Sequence, residues 1–102
     1  MMTAYILAEI SIHDRSRYGE YESGFMTPEL GAALTRTSAR FIAVDEVQVS
    51  LEGEHPYTRT VLIEFPDAEA ARGFYESEEY QAIIGHRHEA STGSLTIING
   101  VS

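Results

Sequence analysis

The chain has 102 residues, 16 acidic and 7 basic side chains and a formal net charge of -9, and its length predicts a single domain spanning residues 1–102. Every base is arginine and there is no cysteine, which excludes a lysine Schiff base, disulfides and cysteine-ligated metals. The acidic balance argues against nucleic acid and membrane surfaces as partners, because both require a basic patch. The segment 1–12 lacks a basic leader and no apolar run reaches ~20 residues, so we expect a cytoplasmic protein.

The first half of the chain predicts one strand and two helices. Over Ala4–Ile12 apolar and mixed residues alternate, with Ile6, Ala8, Ile10 and Ile12 on one face and Tyr5, Leu7, Glu9 and Ser11 on the other. Asp14 can cap a helix that places Tyr18, Tyr21 and Phe25 on one side. Thr27 followed by Pro28 predicts a second helix start, with a helix that continues to about Thr37.

The second half predicts two strands, a helical region and a last strand. Arg40–Val44 and Val47–Leu51 indicate one irregular strand, bent or bulged between them, and Arg59–Phe65 predicts the next. Asp67 caps a helix to Tyr75. Ser77 caps another, whose inward stripe is expected to comprise Tyr80, Ile83, Ile84, Arg87 and His88. Thr92 and Gly93 are expected to end that helix, before a strand at Leu95–Ile98.

This order, βαββαβ, predicts a ferredoxin-like α+β plait. Right-handed crossovers give a four-stranded antiparallel sheet of order 4-1-3-2 with the helices on one face. The other face, called the open face below, would carry Tyr5, Leu7 and Leu62. It is too apolar for simple solvation, which predicts a homodimer whose sheets pack face to face as a dimeric α+β barrel. The alternative is a monomer with an ordinary half-solvated sheet.

A set of motifs across nearly the whole chain resembles the domain of unknown function 1330 family, small bacterial proteins of the dimeric α+β barrel superfamily. The motifs are Ala4–Ile10, Asp14 with Tyr18 to Tyr21, Arg59–Pro66, Ala70 and Ala71, then Tyr75, Ser77, Glu79, Tyr80, Gln81 and Arg87. The chain departs from the family at Ser38 and Ala39 and at Asp45 and Glu46, where glycine-rich turns are usual, and has Tyr57 where tryptophan is usual. The resemblance implies the fold and the dimer but no reaction. The wider superfamily includes cofactor-free monooxygenases, isomerases and small-molecule binders.

Two carboxylates and a histidine are the candidates for acid–base chemistry. By alternation Glu9 and Glu64 lie mid-strand on neighbouring strands and point to the open face. Two carboxylates close together in a partly dry interior favour sharing a proton, which suits a general acid or base. The alternative is that they pair with arginines across the dimer interface. His88 is the candidate proton carrier; the alternative is a charge that stabilises the helix C-terminus.

Two arginines and two tyrosines are the candidates for ligand binding. Arg59 and Arg87 could each bind an anionic group through two parallel hydrogen bonds. The alternative for Arg87 is that its side chain lies along the edge of the core with the guanidinium in solvent. Tyr18 and Tyr80 would line a pocket mouth, or simply be core aromatics. His86 and His88, two apart on a helix, do not share a face, so we predict no metal site and no cofactor.

Three functional hypotheses follow. The first is a homodimer with a small cavity between sheet and helices in each protomer, which binds a small anionic or aromatic molecule. If it catalyses, we expect cofactor-free acid–base chemistry of the isomerase, lyase or monooxygenase type, with Glu9 or Glu64 as base. The second is a non-catalytic dimeric binding or stress-associated module. The third is an interaction subunit, which would bind another protein through the acidic helix surface of Glu76, Glu78 and Glu79. Acidic clusters of this kind are usually solvent-exposed helix faces without a partner.

Overall fold

The computed structural model describes residues 2–101, which form a four-stranded sheet and a layer of helices. The elements in chain order are β1 (Ala4–Ile12), α1 (Arg15–Gly24), α2 (Pro28–Arg36), β2 (Arg40–Asp45), β3 (Arg59–Phe65), α3 (Ala68–Tyr75), α4 (Glu78–Gln81), α5 (Ile84–Ala90) and β4 (Ser91–Asn99). The strand order is β2-β3-β1-β4 and every pair is antiparallel, which confirms the predicted ferredoxin-like topology. Within these residues no helix is both long and apolar enough to cross a membrane.

Four helices begin at side-chain caps, as the sequence predicted. The side chains of Asp14, Thr27, Asp67 and Ser77 accept hydrogen bonds from the backbone N–H of Arg17, Leu30, Ala70 and Tyr80, respectively. Each cap satisfies an otherwise unpaired N–H and is worth about 1 kcal/mol. Short-range chemistry therefore sets where most of the helix layer begins.

The core lies between the sheet and this single helix layer. Ile6 and Ile10 of β1 and Ile63 and Phe65 of β3 are buried beneath the helices, which contribute side chains such as Leu30, Phe74 and Tyr80. The predicted assignment of the sheet faces is therefore confirmed. The Cα trace measures 33 × 32 × 16 Å, and the short dimension is that of two layers, so no helix of residues 2–101 covers the open face. The loop after β2 reaches one end of that face, where His55 contacts Glu9 and Gln48 donates a hydrogen bond to Thr60.

The prediction that the second strand continues through Val47–Leu51 is wrong. β2 ends at Asp45, and its bulge lies between Phe41 and Ala43 rather than beyond the strand's end. Residues 47–51 instead form an irregular loop in which Val47, Val49 and Leu51 are more than 80% exposed, at 83%, 82% and 92%. β3 begins at Arg59 and its second residue already pairs with Asp45, so no ladder remains beside the 47–51 segment.

The predicted last helix and last strand also differ from the structure. The helical region is two short helices, α4 and α5, separated by Ala82 and Ile83. Thr92 and Gly93 do not end a helix; they lie in β4, which starts directly after α5. Gly93 pairs with Ile10 and has φ 148°, and a Cβ added there would lie 2.0 Å from the carbonyl oxygen of Glu9. The glycine is thus required for close approach of two strands.

Gly93→Ala should lower the free energy of unfolding by about 2 kcal/mol or more, because the methyl group collides with backbone and the φ value is unfavourable for alanine. The matched control is Gly73→Ala in α3, where an added Cβ has no neighbour within 4 Å. That change should raise stability by about 0.5–1 kcal/mol. Urea unfolding followed by circular dichroism measures both, and equal effects would contradict the strand assignment of Gly93.

Candidate functional site

A cavity of about 170 Å³ lies between the helix layer and the sheet. Ile6, Ala8 and Ile10 of β1 form part of its floor, and Tyr21, Phe74 and Tyr80 form part of its roof. Met26 also lines the cavity and is 86% exposed, so the cavity opens to the surface there. An apolar cavity of about 150 Å³ is known to hold a benzene molecule, which sets the scale of a ligand that would fit.

Arg87 lines this cavity as a buried cation. It is 7% exposed, and among residues 2–101 no carboxylate lies within 4.0 Å of its side-chain nitrogens. Its Nε has no hydrogen-bond partner, and its Nη2 lies 3.3 Å from Nε2 of His88. A buried guanidinium is costly without an opposite charge, so the absence of one marks Arg87 as the unusual group of the site.

Arg59 lines the same cavity but is paired with two carboxylates, although its Nε, like that of Arg87, has no hydrogen-bond partner. Its Nη1 lies 2.8 Å from Oε2 of Glu46 and its Nη2 lies 3.2 Å from Oε2 of Glu22. Burial lowers the pKa of Arg59, but the hydrogen bond to Glu46, the nearby Tyr18 hydroxyl and the charges of Glu22 and Glu46 outweigh it and raise the pKa above its ordinary value. Hydrogen bonds from Arg15 and Arg59 lower the pKa of Glu46. The Arg59 charge is therefore already balanced by protein groups.

Two tyrosines of the cavity, Tyr18 and Tyr21, have a raised pKa and are protonated at neutral pH. The hydroxyls of Tyr21 and Tyr80 are 2.7 Å apart in the core, and burial, followed by the proximity of Tyr80, raises the pKa of Tyr21 well above its ordinary value. Burial also raises the pKa of Tyr18, while the charges of Arg59 and Arg87 partly oppose it. The guanidinium of Arg59 lies 5.6 Å from the centre of the Tyr18 ring. Tyr18 thus stands near both arginines of the site.

The structure brings together the four residues predicted to bind a ligand. Tyr18, Arg59, Tyr80 and Arg87 all line the one cavity. Tyr18 and Tyr80 are buried in its wall, rather than at a mouth. The sequence analysis missed Glu22 and Met26 as lining residues. It also missed the hydrogen bond between the hydroxyls of Tyr21 and Tyr80, because no spacing rule connects residues 59 positions apart. The general signal was that a buried tyrosine hydroxyl usually has a hydrogen-bond partner.

Glu9 and Glu64 are separated from this cavity and from each other. Glu64 pairs with Tyr5 and Glu9 pairs with Thr60 across the β1–β3 ladder, which places both on the open face, as predicted. They stand four residues apart along β1, about 13 Å, so the expectation that they lie close together within one chain is wrong. Oε1 of Glu64 lies 3.1 Å from Nε of Arg40, and Oε2 of Glu9 lies 3.3 Å from Nε2 of His55.

His88 does not take the inward position predicted for it. The side chain is exposed on α5, and the neighbouring Arg87, three residues after Ile84, is the one that faces the core. The expected inward stripe is therefore correct for Tyr80, Ile84 and Arg87, which are buried, and wrong for His88. No group of three or more His, Asp or Glu side chains within residues 2–101 is arranged to hold a metal ion.

Comparisons with known proteins show the fold. The sequence profile of a family described as "Domain of unknown function (DUF1330)" matches residues 3–101, whereas no curated protein matches significantly. A protein of unknown function from Rhodopseudomonas palustris has a TM-score of 0.72 at 14% identity, covering 99% of this chain and 84% of that one. The cofactor-independent oxygenase SnoaB from Streptomyces nogalater has a TM-score of 0.64 at 13% identity, with coverage of 100% and 96%. A dimeric ferredoxin-like protein of unknown function from Jannaschia sp. CCS1 has a TM-score of 0.68 at 11% identity, with coverage of 98% and 99%.

Stability should fall as the pH rises above about 10, because the unfolded chain then releases the Tyr21 proton while the folded chain retains it. The folded state therefore binds more protons in this range, and its advantage is fully present only below pH 10. Tyr21→Phe should make this alkaline loss of stability shallower, because it removes the buried hydroxyl. Urea unfolding between pH 7 and 11 measures the slopes; identical slopes for wild type and Tyr21→Phe would contradict the prediction.

Proposed function

The chain belongs to the DUF1330 family, and we propose that it is a homodimer that binds a small organic molecule in the cavity between its helices and its sheet. The observation that carries this proposal is the cavity, about 170 Å³ with mostly apolar walls and an unpaired guanidinium. Protein interiors are close-packed and contain few voids larger than a water molecule. A void of this size, with a few polar groups converging on it, is typical of a ligand site.

The open face supports the homodimer. Leu7 pairs with Leu62, and Tyr5 pairs with Ile98, so apolar side chains run across three strands of a face that has no helix over it. Ile98 is 41% exposed in a single chain. A second copy packed on this face would bury the band, and the Jannaschia protein of the same fold is described as dimeric.

The reaction class, if the protein catalyses one, is proposed from the site and from one neighbour. SnoaB has this fold and is described as a cofactor-independent oxygenase, which favours cofactor-free chemistry on the bound molecule. Tyr18 and Arg87 can touch a molecule in the cavity of their own chain. Glu9, Glu64 and His88 lie outside it, so we assign Glu9 and Glu64 to the dimer face, the role that the non-catalytic alternative gives them.

Filling the cavity tests the binding proposal. A library of single-ring and short aliphatic compounds, screened by thermal shift, should contain ligands that raise Tm. Ala8→Leu places a larger side chain on the cavity floor and should abolish those shifts, whereas Ala32→Leu on the exposed side of α2 should preserve them. Ligands that stabilise Ala8→Leu as much as the wild type would contradict the proposal. A library without any ligand would favour the non-catalytic structural module.

Placing a charge on the open face tests the homodimer. The wild-type protein should sediment at twice the 11.3 kDa chain mass, and Leu62→Glu should convert it to monomer, because each protomer would have to bury an unpaired carboxylate in an apolar interface. Thr35→Glu introduces the same group on the exposed side of α2 and should leave the dimer intact. Analytical ultracentrifugation decides; a monomeric wild type, or a Leu62→Glu dimer as tight as the wild type, would contradict the proposal.

A further inference from the structure

The charges around the cavity leave one cation without a partner. Arg15 and Arg59 pair with Glu46, and Arg59 also pairs with Glu22, so this network at the cavity edge contains as many acids as bases. Arg87 stands outside it, and its polar neighbour, His88, offers a ring nitrogen rather than a carboxylate. In a chain with a net charge of -9, the absence of an acid beside the most buried arginine is a specific feature of this site.

The missing partner of Arg87 has a defined chemistry. A guanidinium presents parallel N–H donors that match the two oxygens of a carboxylate, and such charge-assisted pairs are among the stronger hydrogen bonds. Since the side chain lines the cavity, an anion that enters the cavity can reach it. The protonated hydroxyl of Tyr18, which both Arg59 and Arg87 influence, is available as a further hydrogen-bond donor.

The remaining walls suit a flat ring. The Tyr21 ring lies 5.3 Å from Phe25 and 6.1 Å from Tyr80, and the Phe74 ring lies 5.2 Å from Tyr80, all in tilted or edge-on arrangements. Aromatic rings pack favourably against one another in these geometries. The volume of about 170 Å³ matches one ring with a small substituent.

We propose that the cavity binds a single-ring aromatic carboxylate, with the carboxylate paired to Arg87 and the ring packed against Tyr21, Phe74 and Tyr80. This inference rests on the proposed function, since it names the class of molecule for the same cavity. In this arrangement Arg87 selects for an anionic ligand. Arg59, which is paired with Glu22 and Glu46, only lines the cavity.

Benzoate and its uncharged counterpart benzamide test the assignment by isothermal titration calorimetry. Benzoate should bind the wild-type protein at least about tenfold more tightly than benzamide, since only the former pairs with the guanidinium. Arg87→Gln should weaken benzoate binding about 10- to 100-fold and leave benzamide binding nearly unchanged. Arg87→Lys should restore part of the loss, because it keeps the charge without the two-pronged geometry. Arg72→Gln, at an exposed position of α3, is the matched control and should bind benzoate like the wild type.

A stability measurement without ligand separates binding from a structural role. Removal of an unpaired buried charge should raise Tm, so Arg87→Gln and Arg87→Met should both melt above the wild type. A lower Tm for both would show that Arg87 has a structural partner and would overturn the inference. Benzamide binding as tight as benzoate binding would overturn the anion assignment and leave cavity binding intact. No binding of either probe would overturn the inference, and the Ala8→Leu comparison would then decide the proposed function separately.

Discussion

Strand β1 pairs along both of its edges, with β3 on one side and β4 on the other, and the other features of the sheet depend on this double pairing. It fixes which face each side chain occupies, because neighbouring residues of a strand point in opposite directions. Ile6 and Ile10 face the helices and the cavity, whereas Leu7 and Glu9 face the uncovered side. No sheet side chain can serve both faces. The proposed ligand site and the proposed dimer surface are therefore built from different residues of the same strands and can be changed independently.

Electrostatics distinguishes the two arginines that the sequence placed in the site. Arg59 begins β3 and holds Glu46, in the loop after β2, and Glu22, near the end of α1, so its charge ties three segments together. These ion pairs stabilise the folded chain, and they balance the charge of Arg59 in the absence of any ligand. Arg87 comes from α5 and makes no such link within residues 2–101. The surroundings of Arg87 are apolar and have a lower effective dielectric constant than water. The attraction between its guanidinium and an anion in the cavity is therefore stronger than it would be at the surface.

Local rules predicted most of the fold, and long-range geometry accounts for what they missed. Asp14 and Ser77 act on N–H groups three residues away, so their caps can be recognised in the sequence alone. The distance between Glu9 and Glu64 depends on strand register, which alternation does not specify beyond the choice of face. His88 was misplaced because Arg87 and His88 are adjacent residues, about 100° apart around a helix, and the structure buries only Arg87. The Val47–Leu51 segment has the alternation of a strand but no neighbouring ladder to pair with, and only the tertiary structure reveals that.

The cavity carries two costs in the free protein, and one type of ligand would relieve both. The cavity opens to the surface beside Met26, so in the free protein its apolar walls stay in contact with water, at about 25 cal/mol for each Å² of apolar surface left unburied. The unpaired charge of Arg87 adds a desolvation cost at the same place. A well-packed alternative would need only a larger residue than Ala8 and an apolar one in place of Arg87. Because the sequence keeps both the space and the charge, the proposed ligand is one that supplies apolar volume and a negative group together.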